Sequence, residues 1–388
     1  MKLLDHKENK ELISLRKWLH QNPELSGNEK YTSEKLIAAI EKTKPDKLIK
    51  NIGGFGFAAV YVFEESGPAV LVRADMDALP IHEVNTFQHR SEKNGVAHKC
   101  GHDGHSSILA GLGGVLRKKP LETGRVILLF QPEEETGEGA AKVLSDEAFK
   151  MIMPDYSIAL HNLPGYEINS VINGKGPFAA ASTGMIIKIK GLSSHAAHPE
   201  QGNSPVKMLA EAMQILPDLP EKKAHLFQDF ALLTIIHARL GEVAFGTNPG
   251  DGVIMATLRT FLDKDLQNLK KEAEKTCKTL AEEHRLNIEI SYTEEFPATM
   301  NDPMVADLLS TICKDLGKTC IEIQEPFRWS EDFGHFTSRF PSVLFGVGSG
   351  KDSPGLHNSD YDFPDEIMPG AIELFYELIR KLTETKKH

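Results

Sequence analysis

The sequence predicts an α/β fold in which a mixed, largely parallel sheet flanked by helices is interrupted by an inserted ferredoxin-like α+β unit. Three observations lead there. The chain has 388 residues, beyond the roughly 250–300 at which single cores stop growing, so two domains are expected. Between residues 57 and 161, apolar runs rich in Val, Ile, Leu and Phe alternate with helix-like segments, the pattern of a sheet covered by helices. From about residue 182 the order becomes β-α-β-β-α-β, a split unit that can close a small domain by itself.

Taken in order, Leu12, Ile13, Leu15, Trp18 and Leu19 recur at helical spacing until Pro23, and Leu36, Ile37 and Ile40 do so after Ser33, a candidate N-cap. Two helices therefore open the chain. Strands follow at 57–63 and 69–75, a helix at 106–116, a strand at 125–131, a helix near 139–151 and a strand at 156–161. The insert reads as the strand MIIKIKG, a helix over 203–216, the strands ALLTIIHARL and GVIMATLRTF, a helix over 264–285 and the strand LNIEISYTEE. A helix at 303–316, the strand PSVLFGVG and a helix over 366–385 resume the first pattern. The predicted domains are thus 1–181 joined with 295–388, and 182–294 between them. Ligands in such sheets gather at the carboxyl ends of the strands.

Composition narrows the partners. Lys and Arg total 44 against 55 Asp and Glu, a formal charge of −11, and no basic block stands out to neutralise phosphates, so nucleic acid is not an expected partner. No apolar run approaches the ~18 residues of a membrane span. The opening MKLLDHKENKELISL breaks at once into charge, without the apolar core of a signal peptide. A cytoplasmic protein is expected. Four cysteines, Cys100, Cys277, Cys313 and Cys320, are too few for a disulfide scaffold and fit free thiols in a reducing compartment.

The densest chemistry lies in His98-Lys99-Cys100-Gly101-His102-Asp103-Gly104-His105, with three imidazoles, a thiol and a carboxylate in eight residues. In an extended loop, residues two apart point the same way, so Cys100 and His102 can reach one metal cluster while Gly101 lets the backbone come close. Zinc-class ions take both donors, and a thiolate can bridge two of them. A helix-capping turn would explain Asp103 and Gly104 but not the crowding of Cys and His. Asp75 and Asp77, in RADMDALP, end a strand at period-two spacing; one of them suits an acceptor for a ligand histidine's other N–H. Three successive carboxylates, Glu133, Glu134 and Glu135, close the strand RVILLFQ and would repel unless positive charge lies near. Adjacent side chains diverge, so one Glu can bind metal while its neighbour faces a water, the division a metal-assisted hydrolase needs. His161 closes YSIALH, and His357 follows PSVLFGVG. With Cys100, His102 and Glu135 they make a five-member donor set at strand exits, fit for two metals roughly 3.5–4 Å apart.

RADMDALP, KCGHDGH, FQPEEETGEGA, ALHNLPG, GLSSHAAHP, RTF, SEDFGHF and GLHNSDYDFPDE, in this order, resemble the M20 metallopeptidase family, and within it the amidohydrolase branch of hippurate hydrolases, auxin-conjugate hydrolases and N-acetyldiaminopimelate deacetylases. The likeness runs from about residue 10 to 380. It implies a bridging Cys100, with His102, Glu135, His161 and His357 completing two metal sites, Glu134 as general base and Asp77 as the orienting acid. The branch commonly has Ala where this chain has Glu133; Gln131-Pro132 sets the count that keeps Glu134 and Glu135 in register. In relatives the histidine matching His195 reaches the active site of the partner subunit and stabilises the oxyanion, and Asn248 and Arg259 match positions that hold substrate or the partner site. An arginine there can clamp a carboxylate bidentately. The insert is then a lid and dimerisation domain, and a homodimer is expected.

The resemblance implies a dinuclear metal-dependent amidohydrolase that splits N-acyl amino acids into a carboxylic acid and a free amino acid. Zn, Mn, Co and Ni all accept this donor mix. A dipeptidase or carboxypeptidase of the same family is the alternative, disfavoured by Cys100 where peptidase relatives use Asp. A metal-bearing binding protein without catalysis is the second, and would not need Glu134.

Overall fold

A computed structural model of the chain describes residues 3–64 and 67–384, and its contacts divide into two compact units. The first comprises Met1–Phe178, Thr299–Glu325 and Asp332–His388, the second Ala179–Ala298 with Pro326–Glu331. Residue 385, the last of the predicted C-terminal helix, and the outermost ends of the predicted first domain lie outside the described residues.

The first unit opens with helices α1 (His6–Gln21) and α2 (Lys30–Glu41). Asp5 starts α1 with a capping box: its carboxylate accepts the Glu8 N–H at 2.9 Å and Glu8 accepts the Asp5 N–H at 2.8 Å, which satisfies two of the donors a helix start leaves open. Strands β1 (Lys47–Ile52), β2 (Gly56–Glu64) and β3 (Ala69–Asp75) follow, then helix α3 (His102–Lys118) and strands β4 (Gly124–Gln131), β5 (Tyr156–Leu163) and β6 (Val171–Asn173). All seven residues of β3 are buried, as expected of a strand covered on both faces; its first four, Ala69–Val72, read as one apolar run, and Arg73 and Asp75 beyond them are buried as a pair.

The second unit contains β7 (Ala181–Lys190), helix α4 (Val206–Ile215), β8 (Ala231–Leu240), β9 (Asp251–Thr260), helix α5 (Asp263–Glu283) and β10 (Asn287–Phe296). Its four strands form an antiparallel sheet in the order β8-β9-β7-β10. Inward and outward residues alternate along β7, the signature of a sheet with one covered face.

The chain returns to the first unit with α6 (Pro303–Asp315), β11 (Cys320–Glu322), β12 (Ser342–Gly348) and α7 (Met368–Glu384). Among the described residues the large sheet runs β1-β2-β4-β3-β5-β12-β6-β11. Its centre, β4-β3-β5-β12, is parallel, and β1 and β2 join antiparallel at one edge. Leu12 of α1 and Ile372 of α7 close over α3 at Gly111, where an added Cβ would stand 2.6 Å from both side chains. The glycine admits two helices that any larger residue would push away.

Four expectations are corrected. Ser33 is not an N-cap: α2 begins at Lys30, and the Ser33 hydroxyl, inside the helix, donates to the Phe55 carbonyl at 2.7 Å. The helix predicted over 139–151 is an α-helical turn, Gly139–Ser145, followed by a 3-10 turn, Glu147–Ile152. Asp146 between them is extended, and its carboxylate accepts the N–H groups of Ala148 (2.8 Å) and Gly53 (2.9 Å), a cap that competes with helix continuation. The helix predicted over 203–216 begins at Val206, after Pro205, and gives way to a 3-10 turn at Leu216–Asp218. The extended loop predicted for the Cys-His motif ends earlier than expected, because His102 is already the first residue of α3.

Candidate metal centre

The site sits at the carboxyl ends of β3, β4, β5 and β12. Gly101, at φ 97°, turns the chain from Cys100 into α3, a backbone region that glycine enters without steric cost. Cys100 and His102 thereby face one space from opposite sides of a single residue. Cys100 Sγ stands 3.5 Å from His161 Nε2 at the end of β5. His102 Nε2 stands 3.7 Å from Glu135 Oε1 and 3.8 Å from Glu134 Oε2, while Glu135 Oε2 is 3.7 Å from His357 Nε2.

Five donor triads result among the described residues, two of them built on Cys100: Cys100 with His102 and His161, and Cys100 with Glu135 and His357, each with its donor atoms within 4.8 Å of one another. His102 Nε2 and Glu135 Oε1 are buried and, among the described residues, have no hydrogen-bond partner, which is costly unless something else satisfies them. Thiolate, imidazole and carboxylate are the donors that zinc-class ions take. The residues therefore fit divalent cations, with the half-exposed His357 at the outer side.

The remaining contacts orient these donors. His102 Nδ1 lies 3.0 Å from the carbonyl oxygen of Asp77 and 3.3 Å from its Oδ1, and His161 Nδ1 lies 2.9 Å from the carbonyl oxygen of Asn162. Each contact places the N–H on Nδ1 and leaves Nε2 for a ligand. Asp77 Oδ2 accepts from Ser26 Oγ (2.7 Å) and the Glu135 N–H (3.0 Å), tying the histidine to the carboxylate loop. Asp75 is paired with Arg73 and His105 at 2.7 Å each and stands 3.8 Å from His102 Nε2.

Of the three consecutive glutamates, Glu133 departs. Its φ is 57°, its N–H donates to Glu29 Oε1 (2.8 Å) and its carboxylate pairs with Lys142 (2.6 Å). Glu134 and Glu135 are the two that reach His102. Burial raises Glu135 to about 7 against the partial relief of His102, with Asp77 and Asp75 adding to the rise. Burial pushes His102 down, but Asp75, Asp77 and Glu135 outweigh it and lift the group to about 10. Crowded carboxylates draw positive charge into this buried space.

His195, Asn248 and Arg259 lie in the second unit. Exposed His195 pairs in a two-residue bridge with Thr247, and its Nδ1 accepts the Ala197 N–H at 3.0 Å. Next to it, Asn248 Nδ2 donates to Ser194 Oγ at 3.1 Å. Arg259 donates to the Arg328 carbonyl (3.0 Å) and Ser330 Oγ (2.9 Å), so it has no acidic partner in these contacts, and burial lowers its pKa.

Sequence reasoning did not single out Lys99, which is fully buried and donates to Glu83 (2.6 Å), Asn85 (2.8 Å) and the Tyr361 carbonyl (2.7 Å). Nor did it single out His20, set between Asp103 (2.9 Å) and Glu83 (3.0 Å). Lys99 and Asp103 stood inside the recognised motif, but nothing in the sequence showed which distant groups they meet.

The model of peptidase family M20/M25/M40 matches residues 71–381. This chain belongs to that family. It is an M20-family hydrolase, and its relatives are similar over nearly their whole length. It is 30% identical to the hippurate hydrolase of Campylobacter jejuni, covering 96% of each chain. To the N-acetyl-L-cysteine deacetylase of Bacillus subtilis it is 29% identical, over 97% of this chain and 89% of the relative. A solved Bacillus subtilis structure described as a dinuclear metal binding peptidase from the M20 family aligns with a TM-score of 0.84 at 25% identity, over 98% of this chain and all of that one. No helix among the described residues is long and apolar enough to cross a membrane.

Proposed function

We propose that this M20-family chain hydrolyses the amide bond of N-acyl amino acids, releasing a carboxylic acid and a free amino acid, at a centre of two divalent cations. The observation that carries this reading is the pair of donor triads sharing Cys100, with Glu134 beside them. Cys100, His102, Glu135, His161 and His357 would hold the two ions. Zn, Mn, Co and Ni all suit this set. When bound, such ions lower the pKa of water and polarise a carbonyl.

The chain's own groups supply the rest. Glu134 takes the proton of the attacking water and returns it to the departing amine, so one C–O bond forms as the C–N bond breaks. Asp77 holds His102 in the tautomer that presents Nε2. His195 steadies the oxyanion from the partner subunit of a homodimer, while Asn248 and Arg259 hold the substrate, Arg259 through its carboxylate. The second unit, whose β-α-β-β-α-β order suits a ferredoxin-like domain, serves as lid and dimerisation surface. In this reading the chain acts in the reducing cytoplasm, where Cys100 stays a thiol able to take metal.

The names of the Campylobacter and Bacillus relatives both denote N-acyl amino acids as substrates. The description of the Bacillus structure as a peptidase supports a second reading, cleavage of dipeptides by the same centre. A panel of N-acetyl and N-benzoyl amino acids assayed beside dipeptides, scored as free amino acid released, separates them. Preference for the acyl amino acids is expected; cleavage confined to dipeptides replaces the first reading with the second.

A further inference from the structure

We infer that Asn162 is a positioning residue that sets the spacing of three of the four segments carrying the metal donors, an assignment that rests on the dinuclear reading above. The side chain is fully buried. Its Oδ1 lies 2.5 Å from His105 Nε2, and its Nδ2 donates to Tyr361 Oη at 2.5 Å. Its backbone carbonyl accepts from His161 Nδ1 at 2.9 Å. A Cβ on Gly101 would stand 2.3 Å from Asn162 Oδ1, so the backbone between Cys100 and His102 rests directly on the amide.

One residue thus touches the Cys100–His102 turn, the His161 ring and the segment after His357. The last link is reinforced by Lys99, whose Nζ donates to the Tyr361 carbonyl (2.7 Å) and whose carbonyl accepts the His357 N–H (2.8 Å). The other side is anchored in the sheet: His105 meets Asp75 (2.7 Å), Asp75 pairs with Arg73 (2.7 Å), and Arg73 with Asp332 (2.6 Å). A planar, neutral amide suits this junction because it offers donor and acceptor on opposite sides. Aspartate would lose the donor to Tyr361 and add charge close to Asp75; leucine would take the amide from Tyr361 and leave His105 Nε2 with only the backbone N–H of residue 162, 3.3 Å away. Partners bonded directly to metal ligands are worth about 10–100-fold in affinity, and the Asn162 amide reaches the ligand segments through the Gly101 backbone, His105 and Tyr361.

The test compares the wild-type chain with Asn162→Leu, Asn162→Asp and Tyr361→Phe. Far-UV circular dichroism of the metal-free proteins reports folding, competition with a chromophoric chelator reports Zn(II) affinity, and the electronic spectrum of the Co(II)-loaded proteins reports ligand geometry. The expected result is a folded Asn162→Leu with Zn(II) affinity lowered by at most about 100-fold and displaced Co(II) bands, and a smaller change in the same direction for Tyr361→Phe. Wild-type affinity and spectrum in folded variants would overturn the assignment. If Asn162→Leu does not fold, Tyr361→Phe decides by the same criterion, since it removes one hydroxyl only. A wild-type chain that takes up no metal overturns the dinuclear reading and this assignment with it, whereas wild-type binding matched by the variants overturns this assignment alone.

Discussion

His102 Nε2 and Glu135 Oε1 face each other across 3.7 Å, both buried and neither hydrogen-bonded among the described residues. A buried polar atom without a partner costs about 1–3 kcal/mol, more when charged, so a pair left this way marks a space shaped for something else. Glu135→Gln keeps the volume and removes the anionic donor. It is expected to lower bound metal from two ions per chain toward one, read by elemental analysis after dialysis, while thermal unfolding of the metal-free protein stays within a few degrees or rises.

Glu134 separates binding from chemistry. Glu134→Gln is expected to keep wild-type metal content and lose about 10²- to 10⁴-fold in kcat, the range of a general acid-base group. Substantial residual turnover with full metal content would remove Glu134 from the role of base.

Glu133 gives the contrasting outcome. Its ion pair with Lys142, whose side chain is 44% exposed, is worth about 0–1 kcal/mol. Glu133→Ala should therefore leave kcat within a few-fold of wild type and shift Tm only slightly. A loss like that of Glu134→Gln would mean the glutamates are assigned one position out of register.

His20 predicts a pH dependence of stability. Burial pushes its pKa down, but the hydrogen bonds to Asp103 and Glu83 outweigh this and raise it from 6.5 to about 9. A base whose folded pKa is raised stabilises fully below its unfolded pKa and loses that contribution as pH rises through the folded one. The stability gap between wild type and His20→Gln in urea unfolding should be largest below pH ~6.5, on the order of 3 kcal/mol at most, and close toward pH ~9. A gap that widens with pH would reverse the assignment.

The centre of the fold was legible because β3, β4, β5 and β12 are buried almost throughout, and such strands read as continuous apolar runs. The edge strand β1, KLIKNI, alternates poorly between buried and exposed positions and gave no such signal. Cys100 and His102 were legible from density alone, but the left-handed Gly101 that starts the helix at His102 is a backbone property, not a pattern of apolar residues. Asp146 looked like any helix residue until Gly53, 93 positions away, donated to it. Asn162 carried no chemistry of its own in the sequence; its importance lies in contacts with His105 and Tyr361, 57 and 199 positions distant.

The most direct test of the central claim is metal stoichiometry by elemental analysis, run beside amino acid release from N-acyl amino acids before chelation, after chelation and after metal is returned. Two divalent ions per chain are predicted, with release abolished by the chelator and restored by metal. A chain that binds no metal, or that cleaves N-acyl amino acids equally well without it, would contradict the account.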